Sequence, residues 1–250
     1  ECFTELTQLD MGYGGGPSYV TDLKPLRYLK KLETLNLSAD PVQSLEGLAE
    51  LPNLTTLSLE STSNTLDFEQ LASSPSLERL FLGSNTLGDL TPLGQIATLR
   101  ELNLRNTLLT AKSSLSALKN LQRLNLDDSD LTDATPLAAL TQLTQLEISY
   151  LPNLMNFDKL SALGNLTRLY AQSDDLTDLA ALQSLTQLND LNLYTNSGIT
   201  DITPLVNNAG IGSGDTVYLL GTGLNCQAQA QKDANAAPKV RQVPLTTSCP

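Results

Sequence analysis

The chain has 250 residues, 40% of them hydrophobic, with 15 basic and 27 acidic side chains and a formal net charge of −12. That length supports a substantial core, the composition excludes disordered and collagen-like classes, and the acidic balance opposes phosphate backbones and anionic lipid, so no nucleic-acid partner is expected. Histidine is absent, which removes Ser-His-Asp and Cys-His catalysis, histidine metal ligation and ordinary titration near neutrality. No apolar run approaches the roughly 20 residues that cross a bilayer. No basic segment followed by an apolar one opens the chain, so a secretion signal is expected upstream of Glu1 or already removed.

Leucine fills 55 of the 250 positions, a bias that points to internal repetition. In chain order an L-x-L pair, or a variant of it, recurs at Leu9/Met11, Leu35/Leu37, Leu57/Leu59, Leu80/Leu82, Leu102/Leu104, Leu124/Leu126, Leu146/Ile148, Leu169/Ala171, Leu191/Leu193 and Val217/Leu219. The period is about 22 residues, with longer steps only at the two ends. Alternation as in Leu99-Arg100-Glu101-Leu102-Asn103-Leu104 predicts a short strand with one buried face, and stacked copies predict a parallel sheet. Asp89-Leu90-Thr91-Pro92-Leu93, Asp133-Ala134-Thr135-Pro136-Leu137 and Asp201-Ile202-Thr203-Pro204-Leu205 follow such strands. Thr before Pro predicts an N-cap and first turn, so each repeat is expected to return through a short helix or 3₁₀ turn.

The ends depart from this pattern. Gly14-Gly15-Gly16 lacks the Lys and Ser/Thr of a phosphate-binding loop and reads as an enlarged first-repeat turn. Gly214 to Leu219 predicts a final strand, 227–236 a helix and 239–243 a terminal strand. The expected layout is an N-terminal cap and enlarged first repeat over 1–30, repeats over 31–224 and a C-terminal cap over 225–250.

Over about residues 6–224 these motifs resemble the leucine-rich repeat family, and the spacing with D-x-x-P-L endings is similar to the internalin-type repeats of bacterial surface proteins. The resemblance implies an α/β solenoid, a horseshoe of about ten repeats with a parallel sheet on the concave face and short 3₁₀ or α turns on the convex face. The family's asparagine ladder falls on Asp40, Thr62, Asn85, Thr107, Ser129, Leu151, Asp174, Asn196 and Thr222. Leu151 bonds nothing, so an irregular turn is expected at Tyr150-Leu151-Pro152, and a neighbour is expected to fill the space beside Ala171. The tail is similar to the C-terminal cap of secreted bacterial members, which implies a Cys226–Cys249 disulfide and an oxidising compartment. Two buried free thiols in a cytosolic protein is the other reading. Cys2 is left to pair upstream or to carry a lipid, and Glu1 before it does not fit a lipidation signal.

Positions beside the buried leucines project onto the concave face. Tyr150, Tyr170, Tyr194 and Tyr218 fall there in the last four repeats, with Phe81 earlier and Glu147 in the same stripe as Tyr170, the stripe before each pair adds Arg79, Arg123, Arg168 and Asp190, and the stripe after it Arg105. Tyr170, Tyr194 and Tyr218 are expected as diagonal neighbours about 8 Å apart in one continuous aromatic patch. Tyr and Arg dominate interface hot spots, although aromatics also suit exposed strand positions on β-propensity alone.

These residues predict a non-enzymatic chain with no cofactor or metal, secreted, periplasmic or cell-surface and monomeric, that binds a protein partner in host contact or adhesion. A glycan-binding module and a scaffolding domain of a larger envelope protein are the competing readings. The aspartates at 127–133 and 174–178 lack the glycine and terminal glutamate of the calcium loop, and Asp is favoured at turns. Glu101 and Asp127 as a glycosidase pair would need a closed pocket that an open sheet does not offer.

Overall fold

The computed structural model describes residues 4–12, 21–62, 66–212 and 214–224. The expectations at Gly14-Gly15-Gly16, at Cys2, Cys226 and Cys249, and for the helix and strand of the tail fall outside those residues. The chain forms two compact units, Glu1–Asp130 and Leu131–Pro250.

The first unit holds β1 (Gln8–Asp10), β2 (Thr34–Asn36), β3 (Thr56–Ser58), β4 (Arg79–Phe81), β5 (Thr86–Leu87), β6 (Glu101–Asn103), β7 (Leu108–Leu109) and β8 (Arg123–Asn125). Strands β1, β2, β3, β4, β6 and β8 pair in that order, all parallel, with Leu9, Leu35, Leu57, Leu80, Leu102 and Leu124 in register. β5 and β7 pair separately, a second ladder that leaves Leu108 exposed and Leu109 buried. The second unit holds β9 (Gln145–Glu147), β10 (Arg168–Tyr170), β11 (Asp190–Asn192) and β12 (Thr216–Tyr218), also parallel, with Leu146, Leu169, Leu191 and Val217 in register. The final strand expected over Gly214 to Leu219 is therefore present in its central three residues.

Leucine stacking on leucine explains the register. A one-residue slip would turn every leucine to water, whereas in place the leucines of the central pairs are essentially inaccessible. Each fully buried leucine contributes roughly 2 kcal/mol of transfer free energy. Ala171 is buried as completely as its leucine counterparts.

A left-handed residue follows each of β2, β3, β4, β6, β8, β9, β10, β11 and β12: Ala39, Ser61, Ser84, Asn106, Asp128, Tyr150, Ser173, Thr195 and Gly221, with φ between 55° and 77°. Only the last is glycine, so most repeats hold an L side chain in a conformation it disfavours by about 1 kcal/mol or more. Tyr150 shares this geometry, so the irregular turn expected there is not found. One repeat on, buried Asp174 accepts the Leu151 N–H through Oδ1 at 2.6 Å, as Asn85 does for Thr62, so the backbone of this turn is held although the Leu151 side chain bonds nothing.

Among the described residues the return segments are 3₁₀ turns, with one α-helix, α1 (Thr203–Asn207). Thr-Pro opens the turns Thr91–Gln95 and Thr135–Ala139 as well as α1. The threonine is not their cap. Asp89, Asp133 and Asp201 accept the backbone N–H of Thr91, Thr135 and Thr203 at 2.9 Å, and Asp22, Asp67 and Asp178 do the same for Lys24, Glu69 and Ala180. A carboxylate two residues ahead reaches the orphan donor and favours the positive end of the turn, which a threonine hydroxyl already inside the turn does not.

Candidate functional site

Strands of three residues bury the middle residue and turn the flanking two to the open face of the sheet. On β10 this displays Arg168 and Tyr170, on β11 Asp190 and Asn192, and on β12 Thr216 and Tyr218, all partly exposed. Glu147 stands beside Tyr170 in the β9–β10 register.

Asp190 organises this surface. Its Oδ2 accepts Arg168 Nε at 2.7 Å and the Tyr170 hydroxyl at 3.0 Å, while the Arg168 guanidinium lies 5.6 Å from the Tyr170 ring centroid. The hydrogen bond to Asp190 raises the pKa of Arg168. Partial burial, followed by the bond to Asp190, pushes the Tyr170 phenol above its usual value. Further along the strands Gln172 Nε2 donates to the Tyr150 hydroxyl at 2.8 Å, and Asn192 Nδ2 donates to Gln172 Oε1 at 3.1 Å. Tyr194 and Tyr218 meet edge to face, 5.3 Å between centroids.

The expected continuous patch is thus divided. Tyr194 and Tyr218 form one aromatic pair, and Tyr170 is drawn instead to Arg168 and Asp190 by a charge-assisted bond stronger than ring–ring contact. Tyr150 joins through its hydroxyl. The second unit therefore brings together Tyr150, Tyr170, Tyr194, Tyr218, Arg168, Glu147 and Asp190. Phe81, Arg79, Arg105 and Arg123 belong to the first unit, where Phe81 is half-buried on β4. There Arg79 Nε donates to Thr56 Oγ1 at 3.0 Å, Arg105 pairs with Asp128 at 3.2 Å and Arg123 with Glu101 at 2.8 Å. Arg105 and Arg123 are legible as residues but not as ion pairs.

Most of the clustered aspartates have local duties. Asp128 holds Arg105, Asp130 holds Lys112 and accepts the Leu109 N–H, Asp133 caps Thr135 and binds Asn156 Nδ2, and Asp178 caps Ala180. Among the described residues no group of three or more acidic or thiol side chains is arranged to hold a metal ion. Nor is any described helix long and apolar enough to cross a membrane. The ladder positions do carry structure, and most fully where asparagine is present. Asn196 accepts from the N–H groups of Asp174 and Leu176 and donates to the carbonyls of Ala171 and Leu193, and Asn85 bonds Thr62, Leu59 and Leu82. The threonines Thr107 and Thr222 donate only within their own turns, to Leu104 and Leu219.

No family model matches the sequence, and no curated protein sequence does. Solved structures do match. An internalin, InlF, of Listeria monocytogenes is 21% identical with a TM-score of 0.65 over 95% of this chain and 83% of its own. Internalin C2 of the same organism is 25% identical with a TM-score of 0.56 over 88% of this chain and 80% of its own. A leucine-rich repeat protein of Leptospira interrogans is 22% identical with a TM-score of 0.62 over 88% of this chain and 67% of its own. The leucine register, the left-handed turns, the 3₁₀ returns and these likenesses together give the chain the fold of an internalin-like leucine-rich repeat protein.

Proposed function

We propose that the chain is a non-enzymatic recognition protein, secreted or exposed at a bacterial surface, that binds another protein through the open strand face of its second unit. One observation carries this reading: four tyrosines and an arginine converge on strands β9 to β12 and their turns, and hydrogen bonds hold three of them in place. Tyr and Arg offer large contact area with a polar end, and a surface ordered before contact loses less entropy on binding. The fold's likeness to internalins supports a protein-interaction role, host contact or adhesion is the setting proposed for it, and the Tyr150–Gln172–Asn192 hydrogen-bonded chain keeps a sugar ligand as the second reading.

The test is comparative capture. Immobilised wild-type chain, a Tyr170→Ala/Tyr194→Ala variant and a Lys159→Ala variant on a 3₁₀ turn are exposed to host-cell surface extracts, and a glycan array is probed in parallel. A protein retained by wild type and Lys159→Ala but lost from the tyrosine variant supports the reading. Retention by all three refutes the site, and selective array binding transfers it to glycans.

A further inference from the structure

We propose that the second unit's strand face receives an arginine side chain from its partner, seated on Tyr218 against Asp190. The inference rests on the recognition reading above and adds the chemistry of the partner. Asp190 and Asn192 on β11 are flanked in register by Arg168 and Tyr170 on β10 and by Thr216 and Tyr218 on β12. A tyrosine therefore stands on each side of Asn192, but a cation stands on only one side of Asp190.

On the β10 side the seat is filled from within. Arg168 lies over Tyr170 and donates to Asp190 Oδ2. On the β12 side Thr216 occupies the place of Arg168 and brings no charge, and among the described residues the partly exposed Tyr218 meets only Tyr194 as a ring neighbour. Asp190 Oδ1 takes no hydrogen bond from any described residue, since Oδ2 accepts both Arg168 and Tyr170. A guanidinium placed over Thr216 would meet a ring face and a carboxylate oxygen together, as Arg168 does across the strand. Its planar fork suits both contacts at once, whereas a lysine ammonium is a more strongly hydrated point charge.

The charge of the unit favours the same ligand. Over Leu131–Pro250 the sequence holds ten carboxylates and five cations, and the cations at described positions, Lys159 and Arg168, are already paired with Asp158 and Asp190. Such a field attracts a basic segment and repels an acidic one.

The probe is a fluorescein-labelled Gly/Ser peptide bearing three arginines, titrated at 50 mM salt and followed by anisotropy, beside the same peptide with citrulline. Wild type is expected to bind the arginine peptide and to lose about tenfold or more with citrulline, which keeps the shape without the charge. Thr216→Arg fills the seat in cis and should lower affinity about tenfold, whereas Gln183→Arg, which adds the same charge on a 3₁₀ turn, should change it less than about twofold. Circular dichroism confirms that both variants are folded. Equal losses in the two variants, or equal binding of the citrulline peptide, would overturn the proposal in favour of diffuse attraction. Absence of wild-type binding would also overturn it, while the capture experiment with Tyr170 and Tyr194 decides the broader recognition reading separately.

Discussion

Replacing Asn196 by alanine should cost far more than its size suggests. The side chain is fully buried. Its Oδ1 accepts the N–H groups of Asp174 at 3.0 Å and Leu176 at 3.1 Å, and its Nδ2 donates to Ala171 O at 2.7 Å and Leu193 O at 3.1 Å. Alanine leaves two backbone donors without the oxygen they address, each costing about 1–3 kcal/mol in a dry site. The carbonyls retain other lone-pair options and add less, so a loss of about 3–5 kcal/mol is expected. Equilibrium urea unfolding measures it as a drop in midpoint, with the slope watched for loss of cooperativity, since repeat arrays can open locally. Asn189→Ala, at an exposed position, is the control and should stay within about 0.5 kcal/mol. A loss below about 1 kcal/mol at Asn196 would refute the claim that this amide bonds adjacent turns to one another.

Ala39→Gly should raise stability by about 0.5 kcal/mol, because Ala39 is exposed with φ of 67° and relief of that conformation outweighs the added freedom of the unfolded chain; a lower melting temperature would contradict the strain argument. Gly210→Ala should cost more than about 2 kcal/mol, since its Cβ would fall 1.8 Å from the Thr186 carbonyl oxygen, whereas Gly164→Ala, with nothing within 4 Å, should be near neutral by the same melts. The pKa values of Asp89 and Asp133 are lowered from 3.8, for Asp89 by its side-chain and then backbone bonds to Thr91 and for Asp133 first by Asn156 and then by Thr135. With folded values below unfolded ones, their contribution is present above about pH 4 and lost as pH falls through the folded values. A chemical-denaturation series from pH 5 to pH 2 should be shallower for Asp89→Ala/Asp133→Ala than for wild type. The phenol of Tyr170, raised by burial and by Asp190, should ionise above the usual phenol range in an alkaline absorbance titration, and Asp190→Asn should bring it down.

The strands were legible because periodicity is a redundant signal: each leucine pair repeats the statement of its neighbours, and the register follows from stacking like on like. The second ladder between β5 and β7 was not, because Leu108-Leu109 resembles its flanking segments and the pairing depends on how two turns happen to lie. The capping aspartates are visible as residues but the cap itself reads as the threonine, since Thr-Pro is the stronger local signal and the carboxylate acts from two positions earlier. At the candidate site the recurrence of tyrosines in successive repeats is legible, yet their division into a ring pair and an Asp190-centred cluster is hidden. That outcome turns on rotamers and on one carboxylate serving two donors, neither of which has a period. The backbone of the turn at Tyr150 is likewise held by a side chain one repeat away.

Strands of only three residues have a further consequence. The core and the turn-bonding residues are fixed by the stacking, and the second outward position of several strands, Asn36, Asn103 and Asn192, accepts the N–H two residues on, but the first outward position, Thr34, Glu101 and Asp190 in those strands, answers to neither. Substitution there leaves the leucine register intact and shifts stability by no more than surface changes usually do, within about 0.5 kcal/mol. Such a molecule separates what must be inherited unchanged from what is free to vary. Drift in those outward residues can retarget it in single steps without passing through an unfolded intermediate in its history.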